Sequence, residues 1–213
     1  GNASETSRRY SMLMSENVFT YNKMIRDHTL SIVAGNTIQQ TITRNLQASA
    51  NQFSTEGIPS INSGIVNGGW YNEVDDRLLS YFIRGTYDYE QKYMLQAVYR
   101  IDGSSRFGQN NRFGHFPSVS AGWSIREEDF MRPLRRLISE LKIRTSWGVS
   151  GNNAIGQYNQ YNRLSQRRYV IDGNIVSGWA PNNIGNPGLK WEKSTQTNIG
   201  LDFGLLKNRI FMH

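Results

Sequence analysis

From residue 29 to residue 48 the side chains alternate with a period of two. Even positions carry Leu30, Ile32, Ala34, Ile38, Ile42, Leu46 and Ala48, and odd positions are largely polar, with Thr29, Ser31, Thr37, Gln39, Thr41, Thr43, Asn45 and Gln47. Only a β-strand places every second residue on one face. The alternation holds for about twenty residues, whereas a mean globular strand has about five or six. Strands of that length are expected where a barrel wall crosses a membrane and continues beyond it.

The pattern recurs along the chain. Leu79, Tyr81, Ile83, Tyr87 and Tyr89 oppose Ser80, Arg84, Thr86 and Asp88. Tyr93, Leu95, Ala97, Tyr99 and Ile101 oppose Gln96, Arg100 and Asp102. Val119, Ala121, Trp123 and Ile125 alternate with Ser118, Ser120, Gly122 and Ser124. Leu141, Ile143, Trp147 and Val149 alternate with Lys142, Arg144, Ser146 and Gly148, and Ile199, Leu201, Phe203 and Leu205 with Asn198, Gly200, Asp202 and Gly204. One face is apolar and aromatic, and the other carries charges and small polar groups. A soluble β-sandwich shows the same alternation, so periodicity alone leaves both architectures open.

The connections separate them. A first strand at about 9–23 turns tightly through Met24-Ile25-Arg26-Asp27 into the second, which opens a Gly-, Ser- and Asn-rich loop at about 49–76. Strands three and four meet at Glu90-Gln91, and strand four opens a loop at 103–116. Residues 127–140 join strands five and six, with a short amphipathic helix interrupted by Pro133 expected from Glu127 to Leu141. The longest loop, 151–190, precedes strand seven, which ends in Leu206-Lys207-Asn208-Arg209 before a last strand starts at Ile210-Phe211-Met212-His213. Short and long connections are therefore expected to alternate strictly, as in an up-and-down antiparallel barrel with short periplasmic turns and long extracellular loops. Tyr87, Tyr89 and Tyr93 flank one short turn, where an aromatic girdle belongs. The expected fold is all-β, an antiparallel transmembrane β-barrel segment of about eight strands, with outer-membrane lipid against its apolar face.

Composition is compatible with this. The mean hydropathy of −0.57 is low, but in a membrane barrel only alternate residues meet lipid. There is no Cys, which removes disulfides and thiolate metal sites. The formal net charge of +7 is spread along the chain, and its densest cluster (Arg132, Arg135, Arg136) adjoins Glu127, Glu128 and Asp129, so no nucleic-acid partner is expected. His28, His115 and His213 lack metal-ligand spacing, and no phosphate-cradling loop is present, so neither cofactor nor catalytic group is expected. Asp172-Gly173-Asn174 is too short for a calcium loop.

Ordered motifs narrow the reading further. Residues 99–108 (YRIDGSSRFG) and 111–123 (NRFGHFPSVSAGW) are followed by 127–131 (EEDFM), 141–144 (LKIR), 148–156 (GVSGNNAIG), 185–193 (GNPGLKWEK) and 195–201 (TQTNIGL). Together with Glu16-Asn17 and 27–30 (DHTL), this series closely resembles the SusC/RagA family of TonB-linked outer-membrane proteins, over nearly all of the chain except about 49–72. The resemblance implies a barrel of about 22 strands with a plugged lumen. It also implies import of bulky nutrients, glycans or sometimes peptides, driven through the TonB complex, with a SusD-like lipoprotein lid over the outer mouth. On this reading residues 1–213 are part of a barrel whose plug, TonB-contacting segment and remaining strands lie elsewhere. A barrel serving adhesion or structure without transport is the second reading, and a soluble β-rich binding module the third.

Within the motifs, Asp102-Gly103 is expected to turn the chain, Arg106, Arg112 and nearby Asn side chains to knit the loop, and Phe107, Phe113 and Phe116 to form its apolar centre, beside Pro117. Gly185-Asn186-Pro187-Gly188 reads as the turn into strand seven, with Trp191 at the outer interface. Trp70 and Tyr71 in the loop at 49–76, and Tyr169 and Trp179 in the longest loop, are the candidate ligand or lid contacts, since exposed aromatic rings can stack on sugars.

Overall fold

Extended backbone suits the β-branched and aromatic residues of these alternating runs, and lateral pairing satisfies their N–H and C=O groups. The computed structural model describes residues 1–53, 60–207 and 209–212. Its strands are β1 (Asn2–Ile25), β2 (His28–Asn51), β3 (Ile65–Tyr89), β4 (Tyr93–Ser104), β5 (Phe113–Ser124), β6 (Ile138–Asn152), β7 (Arg163–Ile171), β8 (Asn174–Asn183), β9 (Glu192–Leu205) and β10 (Ile210–Met212). Eight of them form one sheet in the order β1-β2-β3-β4-β5-β6-β9-β10, and β7 and β8 pair with each other. The pairings β4–β5, β5–β6, β6–β9 and β9–β10 are all antiparallel. No helix among the described residues is long and apolar enough to cross a membrane, which says nothing of crossing by strands.

The chain divides into two compact units, Gly1–Ser15 with Ile38–Leu78, and Glu16–Thr37 with Leu79–His213. In the first unit β3 starts at Ile65, so the loop expected at 49–76 contracts to 52–64, of which 54–59 lie outside the described residues. Despite their Gly and Asn content, residues 65–76 are held extended by cross-strand polar bonds. Ser49 donates to the Gly68 carbonyl at 3.3 Å, Arg44 Nε to Glu73 at 2.7 Å, and Gln40 to Asp75 at 3.1 Å.

In the second unit the strands also run further than the sequence suggests. The loop at 103–116 contracts to 105–112, because Asp102 and Gly103 remain in the ladder opposite Gly114 and Phe113. Asp102 pairs with Arg100 at 2.7 Å instead of turning the chain. The connection 125–137 is not an amphipathic α-helix but two 3-10 segments, Ile125–Glu127 and Asp129–Leu134, with Pro133 inside the second. It is longer than 105–112, so connection lengths do not alternate strictly. The longest loop contains the β7–β8 hairpin. Of the turn expected at 206–209 and the last strand expected from Ile210, Asn208 and His213 lie outside the described residues.

Four connections of this unit gather at one end and bond laterally. The Glu90 amide donates to the Asp27 carbonyl at 2.9 Å, Ser124 to Lys92 at 2.8 Å, and Leu206 to Leu137 at 2.8 Å. The apolar faces of β4, β5, β6 and β9 are exposed, Ile199 to 81%. A sandwich would cover them with a second layer. Leu95, Val119, Ile143 and Leu201 are exposed, and no second layer covers that face among the described residues.

What core exists sits among the loops at the opposite strand ends. Phe107, Phe116 and Trp191 form one cluster, with Val149, Ile155 and Leu189 against it. The rings of Phe107 and Phe116 lie 5.2 and 5.3 Å from that of Trp191. Trp191 thus belongs to the loop core and not to an outer interface, whereas Phe113 is 53% exposed and lies outside the core. Gly114 and Gly151 make room for Phe116, because an added Cβ would meet its ring at 2.5 and 2.2 Å. Arg106 Nη1 donates to the carbonyls of Asn153 and Ile155 at 3.3 and 3.4 Å, and Trp191 Nε1 donates to the Arg112 carbonyl at 2.9 Å. Asn111 donates to the Pro187 carbonyl at 3.4 Å, and Asn186 Oδ1 accepts from the Gly188 amide at 2.9 Å, closing the turn into β9. β5 pairs with β6 only from Ser118 onward, and Pro117, with no N–H to give, stands at that limit.

Phe107 is fully buried. Phe107→Ala in the full-length protein is therefore expected to destabilise the loop core by about 3–5 kcal/mol. Limited proteolysis should show faster cleavage within 153–191, while Phe113→Ala leaves that rate unchanged.

Candidate functional site

Four groups of residues are candidates for function: a polar sheet face, two pairs of exposed aromatics and an aromatic row at the short-turn end. The polar face of β4, β5, β6 and β9 carries a groove of about 710 Å³, lined among others by Asp88, Gln96, Ser120, Lys142, Arg144 and Asn198. Its charges are cross-linked. Arg144 Nη2 donates to the buried Asp202 at 2.6 Å, and Asn198 Nδ2 to Ser146 Oγ at 3.3 Å. Arg100, paired with Asp102, also reaches Ser80 Oγ at 3.1 Å. Such a surface offers hydrogen bonds and fixed charge to a polar neighbour.

Of the candidate ligand contacts, Trp70 and Tyr71 lie on β3 and not in a loop. As neighbours on a strand they point to opposite faces. Tyr71 donates to Glu73 at 2.6 Å, which also takes Arg44, while Trp70 Nε1 donates to Gln47 Oε1. Both are exposed. They do not make one stacking platform.

Tyr169 and Trp179 belong to the β7–β8 hairpin of the second unit, opposite Val176 and Gln166 respectively. That register puts them, too, on opposite faces. Tyr169 lies over Gly178, where an added Cβ would meet its ring at 2.7 Å, and Trp179 is 70% exposed. The hairpin turns at Asp172-Gly173, with φ of 51° and 75°, the two left-handed residues of a type I′ turn. Asp-Gly between strand-forming residues is a strong hairpin signal, so this element was readable where only a failed calcium loop was considered.

At the short-turn end, Tyr87, Tyr89 and Tyr93 are joined by two residues that the sequence did not single out. His28 Nδ1 bonds the Tyr87 hydroxyl at 2.8 Å, and its ring lies 4.6 Å from that of Tyr89. Tyr89 stacks near Tyr93 at 6.2 Å, and Tyr93 near Trp123 at 6.5 Å. The row thus crosses β2, β3, β4 and β5. The Tyr93 hydroxyl and Trp123 Nε1 both donate to Glu128 Oε1, at 2.6 and 2.9 Å. These bonds, that from Tyr93 first, hold the Glu128 carboxyl below the ordinary glutamate range. The clamp is therefore complete at neutral pH and is lost only as the pH falls through that lowered value. Among the described residues no group of His, Cys, Asp and Glu is placed to hold a metal ion.

Comparison with known proteins agrees with this geometry. Residues 2–211 match the family described as TonB dependent receptor-like, beta-barrel. The chain is 35% identical over 213 residues to TonB-dependent receptor P39 of Formosa agariphila, covering 98% of this chain and 20% of that protein. It is 41% identical over 138 residues to the TonB-dependent receptor SusC of Bacteroides thetaiotaomicron, covering 62% of this chain and 14% of SusC. The RagAB peptide transporter structure superposes with a TM-score of 0.88 at 27% identity, over 98% of this chain and 23% of that one. The chain thus spans between about a seventh and a fifth of the length of these curated relatives. Sequence, strand order and family match converge, and the chain belongs to the TonB-dependent receptor β-barrel family.

Proposed function

We propose that the chain is a part of the barrel wall of an outer-membrane importer, with its apolar face against lipid and its polar groove toward the lumen. The observation that carries this reading is the uncovered apolar face. Leu95, Val119, Ile143, Ile199 and Leu201 on neighbouring strands are exposed together, while Arg144 and Asp202 pair on the other side. A patch of this kind marks a contact with protein or membrane, and the match to a membrane β-barrel family favours lipid. An aromatic row at one end fits the border of that lipid. The loop core at the other end fits an outer rim that must hold its shape in water.

Membership of the family extends the reading. The full-length receptor would take up a bulky nutrient, energised through TonB, with a SusD-like lipoprotein over its mouth. The solved relative named RagAB peptide transporter supports peptide as a class of cargo, and glycan is carried over from the motif resemblance alone. Trp70, Tyr71, Tyr169 and Trp179 are proposed as contacts to cargo or lid. Since each pair splits across two faces, at most one ring of each pair serves a given partner, and Trp179 is the most exposed of the four.

Neighbouring positions on β5 test the wall reading. Ala121→Arg in the full-length receptor is expected to impair outer-membrane assembly, costing roughly 2–4 kcal/mol if the site lies near mid-depth. Ser120→Arg, on the polar face, should assemble normally. Surface abundance and heat-modifiable migration of both variants measure this, and wild-type assembly of Ala121→Arg would contradict the orientation.

A further inference from the structure

Residues 125–137 do more than join β5 to β6. Glu128 fastens this segment to Tyr93 and Trp123, which share the apolar face with Leu95 and Ala121 in the β4–β5 register. The segment is thus held on the outer side of the wall and away from the polar groove. Beyond that clamp, Met131 is buried, but Phe130 is 64% exposed, and Leu134 and Leu137 are exposed as well. Arginines are interleaved with them. The acidic groups nearby are largely engaged, Glu127 by Arg126 and Arg135, and Glu128 by the two aromatic donors. Arg132 meets only the exposed Asp129, at 2.9 Å, and Arg136 has no ion-pair partner among the described residues. Main-chain bonds close the segment on itself, from Met131 to Glu128 at 3.1 Å and from Leu137 to Leu134 at 2.9 Å.

We infer that residues 129–137 form a membrane-interface anchor that lies in the phospholipid headgroup layer at the short-turn rim, with Phe130, Leu134 and Leu137 toward the acyl chains and Arg132 and Arg136 on lipid phosphates. The inference rests on the barrel-wall reading. Its own support is continuity with the aromatic row, which marks the border of the apolar face, and the pairing of exposed apolar groups with cations. Apolar side chains beside arginines match a layer whose inner side is hydrocarbon and whose outer side is anionic. An exposed ion pair such as Arg132–Asp129 contributes little, so Arg132 gives it up to a phosphate at small cost. The self-bonded 3-10 backbone tolerates the half-wet depth of headgroups.

Nitroxide labels on single cysteines test this, since the chain itself has no Cys. The full-length receptor is labelled separately at Phe130→Cys, Leu134→Cys, Leu95→Cys and Gln96→Cys. Each is reconstituted in vesicles of phosphatidylethanolamine and phosphatidylglycerol, and collision with oxygen is compared with collision with a water-soluble nickel chelate. Labels at 130, 134 and 95 are expected to favour oxygen, and the label at 96 not to. Lipid-like collision at 95 with water-like collision at 130 and 134 would overturn the anchor and leave the wall reading standing. Low collision with both reagents at 130 and 134 would mean that protein covers them, a plug or a second copy, and would also overturn it. Water-like collision at 95 would overturn the wall reading itself. Arg132→Gln with Arg136→Gln should shift the label at 130 toward water, and no shift would overturn the role given to the arginines.

Discussion

Unbroken lateral hydrogen bonding between long strands is the constraint from which the other features follow. β6 and β9 pair without a slip from Leu141 opposite Phe203 to Asn152 opposite Glu192, and β4 and β5 from Tyr93 opposite Trp123 to Gly103 opposite Phe113. Because side chains alternate, a shift of one residue would move every apolar group to the polar face. The fixed register therefore makes Leu95, Ala121, Ile143 and Ile199 coplanar, and it equally sets Arg144 beside Asp202. In an apolar solvent each main-chain polar group must find a partner within the protein, which is why such a wall is built from paired strands.

The two ends of the second unit solve different problems. At the short-turn end, connections are stitched by main-chain bonds and bordered by His28, Tyr89, Tyr93 and Trp123. At the opposite end, long connections leave the sheet and need a core of their own. Phe107 from the connection 105–112, Phe116 from the start of β5 and Trp191 from just before β9 supply it, closed by the Arg106 bonds to 153 and 155. The polar sheet face between these ends carries ion pairs and amide bonds in place of apolar packing.

Much of this was legible in the sequence, and the failures have physical causes. Period-two alternation disclosed the strands and the identity of their faces. It did not disclose their ends, because Gly- and Asn-rich residues 65–76 read as loop until β2 offers partners such as Arg44 and Gln40. Asp102-Gly103 has the local chemistry of a turn, yet the ladder to Phe113 and Gly114 overrides it. Trp191 was misplaced and Phe113 overrated because burial within a loop cluster depends on contacts such as Trp191 to Arg112, 79 residues apart. In the sequence Glu128 is one of three acidic residues beside the arginine cluster, and only the fold brings Tyr93 and Trp123 to it. Trp70, Tyr71, Tyr169 and Trp179 were recognisable as exposed aromatics, but their division between opposite faces required the register.

The central claim is that one face of these strands meets lipid and the other does not. Carbene insertion from a diazirine on phospholipid acyl chains, mapped by mass spectrometry on the full-length receptor in native membranes, tests it most directly. Insertion at Leu95, Val119, Ile199 and Leu201, with none at Gln96, Ser120, Asn198 and Gly200, is the result expected. Insertion without alternation, or confined to the polar-face residues, would contradict the account.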